Sequence, residues 1–316
     1  MTAPVTPADI LAAHERIAAH VRQTPVMNSG DRAFGLDRAI SLKLELFQHA
    51  GSFKARGAFN NLLTRDIPPA GIAAASGGNH GAAVAYAARA LGIGVDIFVP
   101  EISSPAKVAK IRGYGARLHV SGNAYAEAAN ACARHRAETA ALDIHPYDAA
   151  ETIAGQGTIA LEWQAQAPDL DSVLVAVGGG GLIAGIACWY KGRGKGKVKV
   201  VAVEPEGSCA LHRAMQGGGP VDVPVASVAA DSLGAKRVGD IVYAQCVDAV
   251  ADTILVDDAA IVEAQRRLWR EAQIAAEPGG ATALAALVSG AYRPAPGERV
   301  GVLVCGGNVD LSTYPT

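Results

Sequence analysis

Short apolar runs alternate with amphipathic stretches along nearly the whole chain. The runs at 41–46, 72–75, 95–99, 116–120, 172–177, 198–203, 253–256 and 300–304 have the length and composition of strands. Between them, 79–91, 106–113, 125–138, 158–167 and 258–272 carry apolar residues at helical spacing. In the last of these Ile261, Gln265, Leu268 and Ala272 mark one face, and Asp257 is placed to cap it. A helix is also expected near the N-terminus. Thr6 can cap it, Pro7 suits its first position, Asp9 completes a box-like pattern, and Ile10, Ile17 and Val21 follow on one side. Strands alternating with helices imply a parallel sheet covered on both faces. Such sheets hold ligands beyond the carboxyl ends of their strands, where loops enter helices.

Composition narrows the picture. The 316 residues can build two ordinary domains or one large one, and with half of them apolar and 18% charged the core needs no disulfide or metal. A net charge of −2 argues against a nucleic-acid partner. The basic run from Lys191 to Lys197 reads as a solvated turn between a helix and a strand, and 217–224 as a surface excursion. Cys132, Cys188, Cys209, Cys246 and Cys305 are odd in number and have no metal-type spacing, which suits free thiols in a reducing cytoplasm. Asp9, His14, Glu15 and Arg16 interrupt any targeting segment, and no run approaches the roughly 18 apolar residues of a membrane span, so a soluble protein is expected.

Four loops carry candidate chemistry. In Gly51-Ser52-Phe53-Lys54-Ala55-Arg56-Gly57, a lysine between an aromatic and small residues opens a helix; desolvation there would lower its pKa and free its amine to attack an aldehyde. In Ala75-Ser76-Gly77-Gly78-Asn79-His80-Gly81, a strand end runs into a helix whose amides, hydroxyl and Asn79 side chain could cradle a carboxylate; a plain capped helix start reads equally well. Gly178-Gly179-Gly180-Gly181 follows an apolar strand and precedes a helix, a geometry that binds phosphate through converging N–H groups. Finally, Cys305-Gly306-Gly307-Asn308 leaves the strand at 300–304, with Cys305 either a structural thiol or a weak partner for a ring nitrogen.

The third loop also supports a rival. Gly179, Gly181 and Ala184 fit the spacing G-x-G-x-x-A, and Glu204 ends the next strand, as in a nicotinamide-dinucleotide oxidoreductase. That reading leaves the Lys54 and Asn79 loops unexplained. A binding protein without turnover would retain the fold, but not need all four loops.

Together the loops resemble the fold-type II pyridoxal-phosphate enzymes, and within them the serine/threonine dehydratase and serine racemase family, from Thr24-Pro25 through Asn308. The resemblance implies an α/β, tryptophan-synthase-β-like fold of two three-layer αβα domains: a small domain at 71–147 and a large, cofactor-binding one at 1–70 and 148–316. It implies pyridoxal 5'-phosphate as cofactor, an amino-acid substrate, and a homodimer or higher homo-oligomer. Lys54 would carry the cofactor as a Schiff base and act as the base at Cα, with Phe53 packing on the ring. Gly178, Gly179, Gly180 and Gly181 would cradle the phosphate. Asn79 would bond the ring hydroxyl, Cys305 would face the pyridine nitrogen, and Glu277 would lie near the ring. Ser76, Gly77, Asn79 and His80 would hold the substrate carboxylate. The implied reaction turns L-threonine, L-serine or a related 3-hydroxy amino acid into a 2-oxo acid and ammonia, with racemisation as an alternative.

The departures matter as well. Racemases of the family carry serine at the position of Gly77, so racemisation should be poor. Metal-binding relatives pair an acid matching Glu204 with an aspartate where this chain has Ala210, which puts a metal at Glu204 in doubt. The position of Tyr147 is often asparagine in racemase-like relatives. The stretch Asp231-Ser232-Leu233-Gly234 is the candidate for contact with the substrate side chain.

Overall fold

The computed structural model describes residues 4–192 and 198–315, so most of the basic run before Val198 lies outside the described residues. In chain order the elements are α1 (Pro7–Ile17), β1 (Val26–Asn28), β2 (Ser41–Leu44), α2 (Lys54–Thr64), β3 (Ile72–Ala75), α3 (Asn79–Ala90), β4 (Val95–Val99), α4 (Pro105–Gly113), β5 (Arg117–Val120), α5 (Tyr125–Thr139) and β6 (Leu142–Asp143). Then come α6 (Ala150–Gln166), β7 (Ser172–Ala176), α7 (Gly181–Lys191), β8 (Lys199–Pro205), α8 (Ala210–Gly217), α9 (Ala230–Leu233), α10 (Asp240–Cys246), β9 (Asp252–Val256), α11 (Asp258–Ala272), α12 (Pro278–Val288) and β10 (Val300–Val304).

The strands form two sheets. Six run in the order β1-β2-β10-β7-β8-β9, all parallel except the edge strand β1. Four run in the order β5-β4-β3-β6, all parallel. Helix α12 covers the middle of the larger sheet on one face, while α1, α6 and α7 pack together. A second core surrounds the smaller sheet and also takes in Ile17, Ala55, Phe59 and Leu62. Thus α2, which opens with Lys54, is packed between the two sheets. Asn79, the four glycines and Cys305 follow the carboxyl ends of β3, β7 and β10, and Lys54 follows β2 after two short turns, so parallel topology puts each of them on the ligand side of its sheet.

All eight expected strands are present, three with the expected bounds and the others with ends moved by one or two residues. Two further strands, β1 and β6, are three and two residues long and too short to show a period. Helix α1 has the expected cap, with the Thr6 side chain and Asp9 bonded reciprocally. It stops at Ile17, short of Val21. Helix α6 begins at Ala150 rather than 158, because Gly155 and Gly157 break its apolar pattern. Those glycines let backbones meet: a Cβ on Gly155 would stand 2.7 Å from the Gly57 Cα, and one on Gly157 3.0 Å from the Gly185 carbonyl. Helix α12 is buried over Gly279–Leu287 and has no polar face to mark its period.

Candidate active site

Residues around Lys54 are tied to the exit of β10. Ser52 pairs with Gly306, and the Phe53 N–H donates to the Cys305 carbonyl at 3.1 Å. One turn on, the buried Arg56 guanidinium donates to Glu45 at 2.7 and 2.9 Å and to Glu162 at 2.9 Å. Lys43 bonds Glu162 from the other side. Two carboxylates and two cations, closed on one another, therefore anchor the start of α2. Lys54 keeps some exposure along its length, but its amine donates to the Pro146 carbonyl at 2.8 Å and lies 5.2 Å from the Phe53 ring centre. Burial brings its pKa from 10.5 down to about 8, against the opposing pull of Cys305 and Glu277.

Opposite Lys54, β7 ends in the glycine loop. Gly180, with φ of +89°, turns the chain into α7, whose first N–H groups have no partners within the helix. The loop is wedged so tightly that only glycine fits. A Cβ on Gly178 would lie 2.9 Å from the Leu233 Cα, and one on Gly179 2.2 Å from the Tyr147 ring. Phe53, Lys54, Asn79, Tyr147, Ser232, Glu277 and Cys305 line the same pocket as the four glycines. An amine poised to be neutral and a glycine cradle at a helix N-terminus fit an aldehyde that carries a phosphate.

On the third side stand Asn79 and Glu277. The Asn79 amide donates to Glu277 and accepts from Asn308 at 2.7 Å. Burial raises the Glu277 pKa, partly offset by Lys107 and Asn79. Its Oε2 has no hydrogen-bond partner among the described residues, though Lys107 Nζ lies 3.6 Å away. The Cys305 thiol contacts the Gly279 carbonyl at 3.4 Å, and burial pushes its pKa up, so it is a neutral thiol.

The remaining expected residues stand further back. Ser76 Oγ accepts from the Gly78 N–H at 3.2 Å. His80 Nε2 is held by the Ile144 carbonyl at 2.7 Å, and burial drops its pKa to about 3, so its ring is a neutral structural group. Glycine at 77 is dictated by packing, since a Cβ there would be 2.2 Å from Ser103 Oγ. Glu204 is fully buried and accepts from the Leu211 and His212 N–H groups at 2.8 and 2.7 Å, capping α8. Burial pushes its pKa up to about 8 against those two amides. Spent in this way, it cannot bind a ribose, which removes the acidic half of the dinucleotide reading. Among the described residues no acidic, histidine and cysteine cluster surrounds it as a metal site would require.

Several site residues escaped the sequence. Lys107, on α4, bonds Asp231 and approaches Glu277. Together with Lys110 and Asn308 it lines a cavity of about 570 Å³ that shares Ser232 and Glu277 with the glycine pocket. These lysines look like the solvated side of an amphipathic helix. The available signal was position: α4 follows the loop at the carboxyl end of β4, on the ligand side of its sheet.

Comparison with known proteins agrees with this geometry. The chain is 40% identical over 301 residues to phenylserine dehydratase of Ralstonia pickettii, covering 95% of this chain and 92% of the relative. Its fold matches maize serine racemase with a TM-score of 0.92 at 36% identity, covering 98% and 96% of the two chains. It matches a threonine deaminase from T.th. with a TM-score of 0.90 at 35% identity, covering 97% and 99%. The family model described as "Pyridoxal-phosphate dependent enzyme" matches residues 17–306. With Lys54, the glycine cradle and the neutral thiol all inside that span, the chain belongs to the pyridoxal-phosphate dependent enzymes, as an α/β protein of two domains with pyridoxal phosphate as cofactor.

Proposed function

We propose that the chain is a dehydratase, an ammonia-lyase that converts L-threonine, L-serine or a related 3-hydroxy amino acid to a 2-oxo acid and ammonia. The observation that carries this is the desolvated Lys54 amine in the pocket that the glycine loop also lines. When bound, the cofactor supplies an aldehyde that joins the substrate amine and a ring that takes up the electron pair left at Cα. The protein does the rest. With its pKa near 8, Lys54 can take up the Cα proton and give it up again near neutral pH, so that Cα loses a proton, Cβ its hydroxyl, and the two leave as water. Gly178 to Gly181 would hold the phosphate, and Phe53 and Asn79, which line the same pocket, would border the ring, with Glu277 accepting from Asn79. The neutral Cys305 thiol, in the same pocket, would offer a ring nitrogen no strong proton donor, which suits loss of the β-hydroxyl. Backbone amides of the loop from Ser76 to His80 orient the substrate carboxylate, and Ser232 borders its side chain.

The same proposal takes 71–147 as the small domain, closing on 1–70 and 148–316 to exclude water. It takes the enzyme as a homo-oligomer in the cytoplasm, where its five free, buried cysteines would remain reduced. No helix among the described residues is long and apolar enough to cross a membrane.

A second reading, amino-acid racemase, has one observation in its favour. Ser103 Oγ occupies the space a side chain at 77 would fill, so a hydroxyl is present there from another loop. The test is the visible spectrum of purified protein with L-threonine, followed by assay of 2-oxobutyrate and chiral analysis with L-serine. A yellow protein that forms 2-oxobutyrate, and a colourless, inactive Lys54→Ala variant, are expected. Full turnover by Lys54→Ala would sink the assignment; D-serine lost in Ser103→Ala would favour the racemase.

A further inference from the structure

We propose that Lys110 is a positioning residue that fixes how Asn79 faces the cofactor, acting through Asn308. Four side chains are bonded in series. Lys110 Nζ donates to Asn308 Oδ1 at 2.5 Å, Asn308 Nδ2 donates to Asn79 Oδ1 at 2.7 Å, and Asn79 Nδ2 donates to Glu277. The series crosses between the sheets at every step: α4, the exit of β10, the start of α3, then the residue before α12.

A carboxamide donates from one end and accepts at the other, so by itself it has no preferred sense. An ammonium can only donate. Lys110 therefore obliges Asn308 to turn its oxygen outward and its NH₂ inward. Asn79 must then present its oxygen to Asn308, and its NH₂ is left for Glu277, which accepts. The Ala50 carbonyl, accepting from Asn308 Nδ2 at 2.8 Å, works in the same sense. The lysine loop leaves room for this arrangement: a Cβ on Gly51 would lie 2.4 Å from Asn308 Oδ1 and 3.0 Å from Lys110 Nζ. Lys110 lines the wider cavity and not the glycine pocket, so it reaches the cofactor only through Asn308 and Asn79. The inference rests on the proposed placement of Asn79 beside the cofactor ring.

The test compares holoenzyme with Lys110→Met, Lys110→Arg and Asn79→Ala. It follows the visible spectrum of the bound cofactor against pH, kcat and KM for the best substrate, and the melting temperature. Lys110→Met is expected to shift the spectral midpoint by about half a pH unit in the direction of Asn79→Ala. It should lower kcat about tenfold while KM changes less than about threefold. Lys110→Arg, a donor-only cation with the cavity to accommodate it, should restore most of both. A parental spectrum in Lys110→Met beside an altered one in Asn79→Ala would overturn the role of Lys110 and leave the site intact. An unaltered spectrum in Asn79→Ala would overturn the placement of Asn79 and this inference with it. Equal damage in Lys110→Met and Lys110→Arg, with a lowered melting temperature, would assign Lys110 to structure alone.

Discussion

An amine with a pKa near 8 changes charge within the range where most enzymes work. Its reaction with an aldehyde needs the neutral form, which gains tenfold per pH unit below the pKa and levels off above it. Capture of pyridoxal phosphate by cofactor-free protein should thus accelerate up to about pH 8 and flatten, as stopped-flow absorbance would show; a rate still climbing at pH 10 would mean an ordinary, solvated lysine. At the glycine loop the limit is steric. Gly179→Ala drives a methyl into the Tyr147 ring and should weaken cofactor binding about 5- to 150-fold, the effect of about 1–3 kcal/mol of overpacking, measurable by titration of the visible band. Lys54 and the glycines, which line one pocket, stood out in the sequence because what marks them is local: an unusual residue in an unusual setting. His80 was only half legible, since nothing in the sequence shows that Ile144 holds its ring. Ser103, Lys107 and Lys110 were not legible at all, because their roles come from neighbours about 26 to 200 residues away.

Helix α2 carries Lys54 at its first position, and its anchoring is ionic as much as apolar. Arg56→Met would leave Glu45 and Glu162 buried without their shared partner, and should cost about 3–5 kcal/mol in urea unfolding. Burial disfavours the Glu162 carboxylate, yet Arg56 and Lys43 together hold its pKa below 4.5. A carboxyl depressed in the folded state stabilises above its unfolded pKa. That contribution should persist at neutral pH and disappear as the pH falls below about 4, in the parent but not in Arg56→Met. The crossing of α2 with α6 is equally exacting: Gly155→Ala meets the Gly57 backbone and should cost about 1–3 kcal/mol. The same glycines hid the first half of α6 from the apolar pattern. A helix that presses backbone to backbone loses the large side chains by which its period is read.

Across the whole molecule, the two sheets point their carboxyl ends at one pocket, and α4 of the smaller sheet touches α9 of the larger through Lys107 and Asp231. Asp231 is 61% exposed, so this pair should add less than about 1 kcal/mol to stability. Asp231→Asn is expected to leave the melting temperature nearly unchanged and, on the proposed closure of the small domain, to raise KM. Alternation of strands and helices was enough to give the α/β class. The partition into two sheets was not legible that way, since nothing in the periodicity of β3 to β6 separates them from the other strands. It came from the resemblance.

The strand order has a consequence for how the molecule is made. β10, the last strand along the chain, lies between β2 and β7. As the polypeptide leaves the ribosome, β1 and β2 must wait through more than 200 residues for the neighbour that seats them. Until then the edges of β2 and β7 remain open to wrong partners. Cys305, the Ser52–Gly306 bridge and the Asn308 contact with Asn79 arrive with that same strand. Chain closure and completion of the pocket around Lys54 are therefore one late event, and a nascent chain halted before it would have Lys54 without the walls that β10 brings.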